Sequence, residues 1–338
     1  MTLPTTLDAT DRLADLVRRN DPTLDEVPMP PDGKFQTRAT TLDALTRETA
    51  DVLAHGFRNR ADADFPTLYC GWGRCRVGST PLNNLFGLAG IPSYYQPLKN
   101  MLRHLLVDHP AAPWELPLAE HQPQIFSKET SGPYVLAEAL FLPVEVLVMA
   151  GYPIDRLHLI VLDRDPASSL ASWLDKWSER VAPDRLVQNY VLASLNKLRV
   201  EHFAARHGIP VTHFVYEASK EAAGTVRSLF DRLGLSSRFA ESAVTAWNER
   251  GLIESESSGV TFPSEPSVYQ LPGLHGADTA YKYRARHTAA LTDAQLNVLE
   301  RYGLTELYRA SVRACARDLA LDEATSKRVF GANIEVAA

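Results

Sequence analysis

Cysteine is scarce in this sequence of 338 residues, which contains only Cys70, Cys75 and Cys315. A small and odd number of thiols argues against a disulfide scaffold and favours a reducing compartment. Cys70 and Cys75 also lack a second Cys or His pair at the spacing of metal ligands, so we expect no metal site.

Positive charge is also in short supply. Lys and Arg total 35 against 41 for Asp and Glu, which gives a formal net charge of −6. Binding to nucleic acid depends on a basic surface, so this balance argues against a nucleic-acid partner. It still allows one local basic pocket for a small polyanion.

Long apolar runs are missing as well. The most apolar stretch, residues 137–150, contains Glu138, Pro143 and Glu145. It is shorter than the roughly 20 apolar residues that a helix needs to span a bilayer. Residues 1–20 have no apolar segment typical of a secretory signal. We therefore expect a cytoplasmic protein with no membrane partner, and the oligomeric state stays open.

The composition, with 45% hydrophobic residues, supports a sizeable core. Residues 1–35 contain several prolines among acidic residues, so we expect a loosely ordered N-terminal lead-in. Residues 36–338 are expected to form a single domain. We find no internal repeat and no low-complexity block.

Short aliphatic runs alternate with longer helical patterns along most of the chain. Strands are predicted over residues 65–70, 124–126, 158–163 and 211–216. Helices are predicted over residues 81–89, 134–149, 166–180, 185–207, 220–233, 238–250, 293–302 and 306–319, with a long loop over 254–279. This alternation indicates a three-layer α/β fold with a central, mainly parallel sheet flanked by helices. Ligands bind such sheets at the carboxyl ends of the strands.

The segment after the first predicted strand, residues 71–80, has the features of an anion-binding loop. Gly73 and Gly78 have the spacing found in loops that cradle phosphates at the start of a helix. Ser79 stands where a nucleoside triphosphatase carries lysine, and Arg74 and Arg76 lie inside the loop instead. The pattern predicts an anion site without a clamp for a γ-phosphate. The alternative is a turn whose glycines only relieve strain.

A second polar segment follows the strand that ends at Asp163. Arg164 leaves that strand, Pro166 begins a helix, and Ser172 lies eight residues after the arginine. A guanidinium and a hydroxyl are suitable donors for phosphate oxygens. The alternative for Arg164 is an ion pair with a nearby acid. If Asp163 bound Mg²⁺, the chain would instead be a kinase that uses Mg·ATP, but the missing loop lysine counts against this.

Together, the two segments resemble the motifs of the sulfotransferases that use 3′-phosphoadenosine 5′-phosphosulfate (PAPS). Residues 76–80, Arg-Val-Gly-Ser-Thr, match the first motif with Val77 in place of the usual serine. Arg164, Pro166 and Ser172 reproduce the spacing of the second motif. Weaker similarity extends the resemblance over about residues 60–310. A P-loop-like sulfotransferase fold is therefore the expected architecture.

The resemblance implies which residues contact the donor. The 5′-phosphosulfate would lie on a loop made of Arg76, Val77, Gly78, Ser79 and Thr80, and the 3′-phosphate on Arg164 and Ser172. Arg76 would also stabilise the leaving phosphate oxygen. The implied reaction transfers a sulfuryl group to a hydroxyl or amine of a small-molecule acceptor, leaves 3′-phosphoadenosine 5′-phosphate (PAP) and requires no metal. We expect the acceptor to be a bacterial natural product.

The general base is predicted from the segment that matches the family's Lys-Thr-His sequence. Lys128 matches the family lysine and is expected to stabilise the transferring group, and Glu129 is expected to be the base. A surface Lys–Glu pair is the alternative for these two residues. His104 and His121 are competing candidates for the base.

A basic triplet, Arg-Lys-Gly, binds the 3′-phosphate in many family members and is missing here. The basic, aromatic cluster over residues 281–286 stands in the corresponding region. We expect Arg284 to replace the triplet, with Lys282 and Arg286 as alternatives. A non-catalytic nucleotide-binding protein on the same scaffold is a further alternative to the enzyme.

Overall fold

The computed structural model describes residues 6–247, 259–270, 280–285 and 291–334. The strands in these ranges are β1 (Thr67–Arg74), β2 (Ser93–Tyr95), β3 (Gln124–Ser131), β4 (Leu157–Asp163), β5 (Val211–Val215) and β6 (Val260–Thr261). The helices are α1 (Thr6–Arg19), α2 (Leu42–Gly56), α3 (Ser79–Leu88), α4 (Pro97–Leu106), α5 (Leu136–Leu140), α6 (Pro143–Met149), α7 (Pro166–Trp177), α8 (Pro183–His207), α9 (Ala222–Arg232), α10 (Ser242–Thr245), α11 (Asp293–Arg301), α12 (Leu304–Asp318) and α13 (Glu323–Phe330).

The six strands of the described residues form one sheet in the order β5-β4-β1-β3-β2-β6, and each neighbouring pair is parallel. The predicted α/β fold with a parallel sheet is confirmed. The chain winds from β1 towards β2 on one side and later crosses to β4 on the other. The crossover connections therefore diverge next to β1, and ligands bind such sheets where the winding reverses.

Helices cover both faces of the sheet. Leu159 and Val161 of β4 lie in one buried cluster, which includes side chains of α2, α4 and α8. Ile160 and Leu162 lie in a second cluster, which includes side chains of α3, α9 and α12. Consecutive strand residues point to opposite faces, so only a strand covered on both sides can be aliphatic throughout. Strand β4 is covered on both faces, which explains why residues 159–162 are all aliphatic.

The expectation of a loosely ordered segment over residues 1–35 is wrong for the part that the structure describes. Residues 6–19 form α1, which packs on α8. Ala14, Val17 and Leu24 are fully buried in the core. The apolar residues of α1 form one helical face, and burying that face stabilises the segment despite the prolines that follow.

Two further predictions need correction. The single helix over residues 134–149 is two helices, because Pro143 lacks an N–H and favours the extended backbone observed at Leu142. Strand β3 runs on to Ser131, since its polar second half pairs with β1 residue for residue. Of the helix predicted over 238–250, the described part contains only α10. Part of the loop predicted over 254–279 lies outside the described residues.

Within the described ranges, no helix combines the length and the apolar character that a bilayer-spanning segment requires.

Candidate functional site

The carboxyl end of β1 continues into residues 75–78, which lead into the first turn of α3. We call residues 75–80 the anion loop. Gly78 has a φ of +80°, and a Cβ atom there would lie 2.3 Å from Cδ2 of Tyr216. Only glycine avoids both the left-handed backbone penalty and this contact. Arg76 also has a positive φ, of 69°, which is uncommon for a residue with a side chain.

Hydrogen bonds to buried residues fix the position of the anion loop. The Cys75 N–H donates to the Ser131 carbonyl at 3.0 Å, so the pairing of β1 with β3 extends into the loop. Trp173 Nε1 donates to the Cys75 carbonyl at 2.6 Å. Val77, which stands at the position of the motif serine, is buried in the core and can offer a ligand only its backbone.

The structure brings the two polar segments together. Arg76 Nε donates to Ser172 Oγ at 2.9 Å. Arg164 Nη1 donates to the Arg76 carbonyl at 3.3 Å, although 88 positions separate the two arginines. The anion loop, the end of β4 and the first turns of α7 therefore meet at the carboxyl edge of the sheet, where the winding reverses.

Arg164 is a buried cation with no carboxylate partner among the described residues. Its side chain is almost fully buried, and its guanidinium lies 4.5 Å from the ring centroid of Tyr216. The Arg164 Nη groups donate only to carbonyl oxygens, those of Arg76 and Arg284, and its Nε has no partner. The alternative interpretation of Arg164, an ion pair, is not what the described residues form. A desolvated cation of this kind favours binding of an anion.

Arg284 contacts Arg164 and Tyr216 through its backbone. Its carbonyl accepts from Arg164 Nη2 at 3.3 Å, and its N–H donates to the Tyr216 hydroxyl at 3.0 Å. The side chains of Arg284 and Lys282 are exposed. The alternative Arg286 lies outside the described residues.

Both oxygens of Asp163 already accept hydrogen bonds from protein donors. Oδ1 accepts from Arg74 at 2.5 Å and from the Arg164 N–H at 2.8 Å, and Oδ2 accepts from Ser311 at 2.6 Å. Burial opposes ionisation, but the charges of Arg74 and Lys197 outweigh it and lower the pKa of Asp163. Asp163 is therefore a structural anion that fixes the end of β4. Among the described residues, no cluster of three or more His, Cys, Asp or Glu side chains could hold a metal.

Lys128 lies on the same side of the sheet as α3. Its Nζ is 3.6 Å from the ring centroid of Tyr95 and 3.4 Å from Gln96 Oε1. The Tyr95 side chain is hydrogen-bonded to Thr80, which belongs to the anion loop. Lys128 is buried and forms no ion pair among the described residues. Burial is the main cause that lowers the pKa of its amine to about 7.

Glu129 points to the opposite face of the sheet, so the structure does not place it where the predicted base would act. It is fully buried, and its carboxylate accepts from the backbone N–H groups of Leu98 at 3.0 Å and Lys99 at 3.2 Å. These bonds cap the first turn of α4. Burial raises the pKa of Glu129 to about 7. The alternating geometry of a strand separates Lys128 and Glu129, and neither is a surface residue.

Neither of the two competing histidines forms a hydrogen bond with the anion loop among the described residues. His104 lies seven residues after the start of α4, about 10 Å along the helix axis. One of its ring nitrogens is 3.0 Å from the Ser264 carbonyl. His121 is exposed and precedes the amino end of β3, at the opposite edge of the sheet.

Sequence reasoning missed a group of buried charges next to the anion loop. Lys99 Nζ is hydrogen-bonded to the Gly132 carbonyl and lies 3.9 Å from Cys75 Sγ. Arg103 Nε donates to Glu138 at 2.6 Å. Lys99 and Arg103 are four residues apart on α4, and this helical spacing is the one signal that could have placed them together.

Neither a protein-family model, nor a curated protein, nor a solved structure matches this chain. The functional argument therefore depends on the geometry of the site.

Proposed function

We propose that the protein is a sulfotransferase that moves a sulfuryl group from PAPS to a hydroxyl or amine of a small-molecule acceptor. One observation carries the proposal. Two segments chosen for their resemblance to donor-binding motifs meet at Arg76, Arg164 and Ser172, and the buried guanidinium of Arg164 has no carboxylate to neutralise it in the described residues.

The residues present fit the two anionic groups of the donor. Arg164 and Ser172 would hold the 3′-phosphate, and the orphaned Nε of Arg164 is the donor that such a ligand would satisfy. The anion loop would hold the 5′-phosphosulfate with the backbone N–H groups that begin α3. Each charge-assisted hydrogen bond contributes about 1.5–3 kcal/mol. The Tyr216 ring lies between the two positions, against both Gly78 and Arg164.

When bound, PAPS supplies the sulfuryl group that is transferred. Arg76 and the first turn of α3 stabilise negative charge on the oxygen that leaves with the nucleotide. The amine of Lys128, with its pKa lowered to about 7 by burial, becomes fully charged beside an anion and then acts as a second fixed cation. These cations perform the charge neutralisation that a metal ion performs in phosphoryl transfer.

The kinase alternative has less support, because both oxygens of Asp163 are already occupied by protein donors. The non-catalytic alternative predicts the same nucleotide binding without turnover. The three cysteines are buried and free of disulfides, which fits the proposed cytoplasmic location.

Thermal unfolding with added nucleotide tests the donor site. PAP is compared with ATP, each with and without Mg²⁺. PAP at 100 times its Kd should stabilise the protein by about 2.7 kcal/mol without a metal. The shift should disappear in Arg164→Ala and persist in Arg19→Ala, which removes an exposed arginine of α1. Stabilisation by Mg·ATP alone would contradict the proposal and favour the kinase.

A further inference from the structure

Residues 259–270, which we call the cover segment, cross the carboxyl end of the sheet beside the anion loop. Strand β6 pairs with β2 at one end of the segment. The ring of Phe262 stacks on that of Tyr95, with centroids 4.8 Å apart. At the other end, Arg180 Nη1 donates to the Gln270 carbonyl at 3.1 Å. The segment is therefore tied to the scaffold on both sides.

Glu265 is the carboxylate that the cover segment brings to this edge. Its Oε1 accepts from Arg103 Nη1 at 2.5 Å. Its Oε2 has no hydrogen-bond partner in the part of the chain that the structure describes, and the side chain is 20% exposed. One oxygen thus fixes the orientation of the group and the other can accept a proton from a ligand.

Arg103 is itself held rigidly. Its Nε donates to Glu138 at 2.6 Å, and its guanidinium lies 5.5 Å from the ring centroid of Tyr134 and 4.7 Å from that of Tyr269. The chain Glu138–Arg103–Glu265 therefore leaves Glu265 little freedom. A base oriented by a second, fixed group is the arrangement that general-base catalysis requires.

The other carboxylates near the site are engaged in the fold. Both oxygens of Glu129 accept backbone N–H groups, and both oxygens of Glu138 accept donors from Arg103 and Tyr134. Both oxygens of Asp163 are likewise occupied. Glu217 keeps one oxygen without a partner, but that oxygen is buried. Glu265 differs because its side chain is 20% exposed and its Oε2 has no hydrogen-bond partner among the described residues.

Glu265 is also close to the residues that border the anion loop. Lys99 Nζ lies 3.9 Å from Cys75 Sγ of the anion loop and 3.9 Å from Glu138 Oε1. Glu138 in turn accepts from Arg103, the hydrogen-bond donor to Glu265. Burial raises the pKa of the Tyr95 hydroxyl, and the charge of Glu265 raises it further. Tyr95 is hydrogen-bonded to Thr80 and its ring stacks on Phe262, so the cover segment that contains Glu265 packs against the anion loop.

We propose that Glu265 is the catalytic base that accepts the proton of the acceptor. This inference rests on the proposed sulfotransferase function. As the acceptor oxygen forms its bond to sulfur, its proton passes to Glu265 Oε2. The bond between sulfur and the bridging phosphate oxygen breaks, and its electron pair leaves on PAP. The proton then passes from Glu265 to solvent, so no oxidant or metal is needed. Arg103 is a positioning residue for this step.

The experiment uses PAPS labelled with ³⁵S and water as the acceptor, so that no acceptor has to be identified. Release of labelled sulfate is followed for the wild type, Glu265→Gln and Glu300→Gln, a matched control that changes an exposed glutamate on α11. Glutamine keeps an oxygen for Arg103 but cannot accept the proton. We expect a loss of about 100-fold or more in Glu265→Gln and none in Glu300→Gln.

The shift in melting temperature caused by PAP is measured on the same samples, which separates the two proposals. An unchanged PAP shift with lost hydrolysis supports Glu265 as the base. Hydrolysis at the wild-type rate in Glu265→Gln overturns it, and so does a wild type that binds PAP but hydrolyses PAPS no faster than buffer. Failure of the wild type to bind PAP removes the proposed function and this inference with it. If Glu265→Gln does not fold, Glu265→Asp decides the question, because withdrawing the carboxylate by one methylene should slow hydrolysis at least 10-fold.

Discussion

Arg76 Nε and Ser172 Oγ lie 2.9 Å apart, although 96 positions separate the two residues. The bond joins the anion loop to α7 and sets two donors side by side at the edge of the sheet. The Arg164 guanidinium lies beside them, bonded to the Arg76 carbonyl. The positions of Arg76, Ser172 and Arg164 therefore depend on one another, and changes at any of them should affect binding of the same anion.

Ser172→Ala tests this coupling. The serine is fully buried, so alanine removes one hydroxyl without creating a large cavity. Loss of a donor to a phosphate should weaken PAP binding by about 1.5 kcal/mol or more, roughly tenfold. Isothermal titration of PAP measures the change. Ser178→Ala, at the exposed end of α7, is the matched control and should bind as the wild type does. Equal affinities in the two variants would contradict the assignment of Ser172.

Gly78→Ala should lower the free energy of unfolding by more than the positive φ of Gly78 alone predicts. The new Cβ would lie 2.3 Å from Cδ2 of Tyr216, in addition to the φ of +80°. Gly234→Ala is the control, because Gly234 has a φ of +70° and open space around its Cβ position. Urea unfolding should show a loss of about 1 kcal/mol for Gly234→Ala and at least 2 kcal/mol more for Gly78→Ala. Similar losses would show that Tyr216 moves away freely.

Glu129→Gln distinguishes a helix cap from a base. The carboxylate accepts two N–H groups at the start of α4, and an amide can accept only on its oxygen. We expect a loss of about 1–2 kcal/mol in the free energy of unfolding. Hydrolysis of PAPS by the folded fraction should be unchanged, in contrast with Glu265→Gln. A large loss of turnover in a stably folded Glu129→Gln protein would restore Glu129 as the base.

His213 should make the stability depend on pH. One ring nitrogen is 2.7 Å from Asp318 and the other 3.0 Å from Glu201. Burial works against the charged ring, but the bonds to these carboxylates outweigh it and raise the pKa of His213 above its usual 6.5. The contribution is therefore complete below pH 6.5 and disappears as the pH rises through the raised pKa of the folded state.

Urea unfolding between pH 6 and pH 9 measures this dependence. The contribution that is lost should be about 1.5–3 kcal/mol, the usual size for hydrogen bonds to charged groups. His213→Gln should flatten the dependence, whereas His202→Gln, at an exposed position of α8, should keep it. A slope that is the same in both variants would show that other groups cause it.

The α/β architecture and the two polar segments at the carboxyl edge of the sheet could be predicted because they depend on local patterns. The aliphatic run of β4 predicts a strand covered on both faces, and the glycine spacing after β1 predicts a loop at the start of a helix. The role predicted for Arg164 and Ser172 came from the resemblance of their spacing to a family motif, and that spacing lies within one strand end and one helix. Each of these patterns involves residues within about ten positions of one another. They can therefore be recognised without knowing which distant residues they contact.

Tertiary structure decided everything that depends on which face a residue occupies or which distant residue it meets. Lys128 and Glu129 are neighbours in sequence, but strand geometry sends one towards the anion loop and the other to the start of α4. The carboxylate of Asp163 accepts hydrogen bonds from Arg74 and Ser311, which belong to β1 and α12. Glu265 lies in a stretch rich in Ser and Pro, where no periodicity marks it, and only its contact with Arg103 gives it an orientation. The sequence alone determined the fold class and the two motifs, because periodicity and spacing are local. The availability of each carboxylate was decided by contacts across the fold, because a buried group takes its chemistry from the partners that surround it.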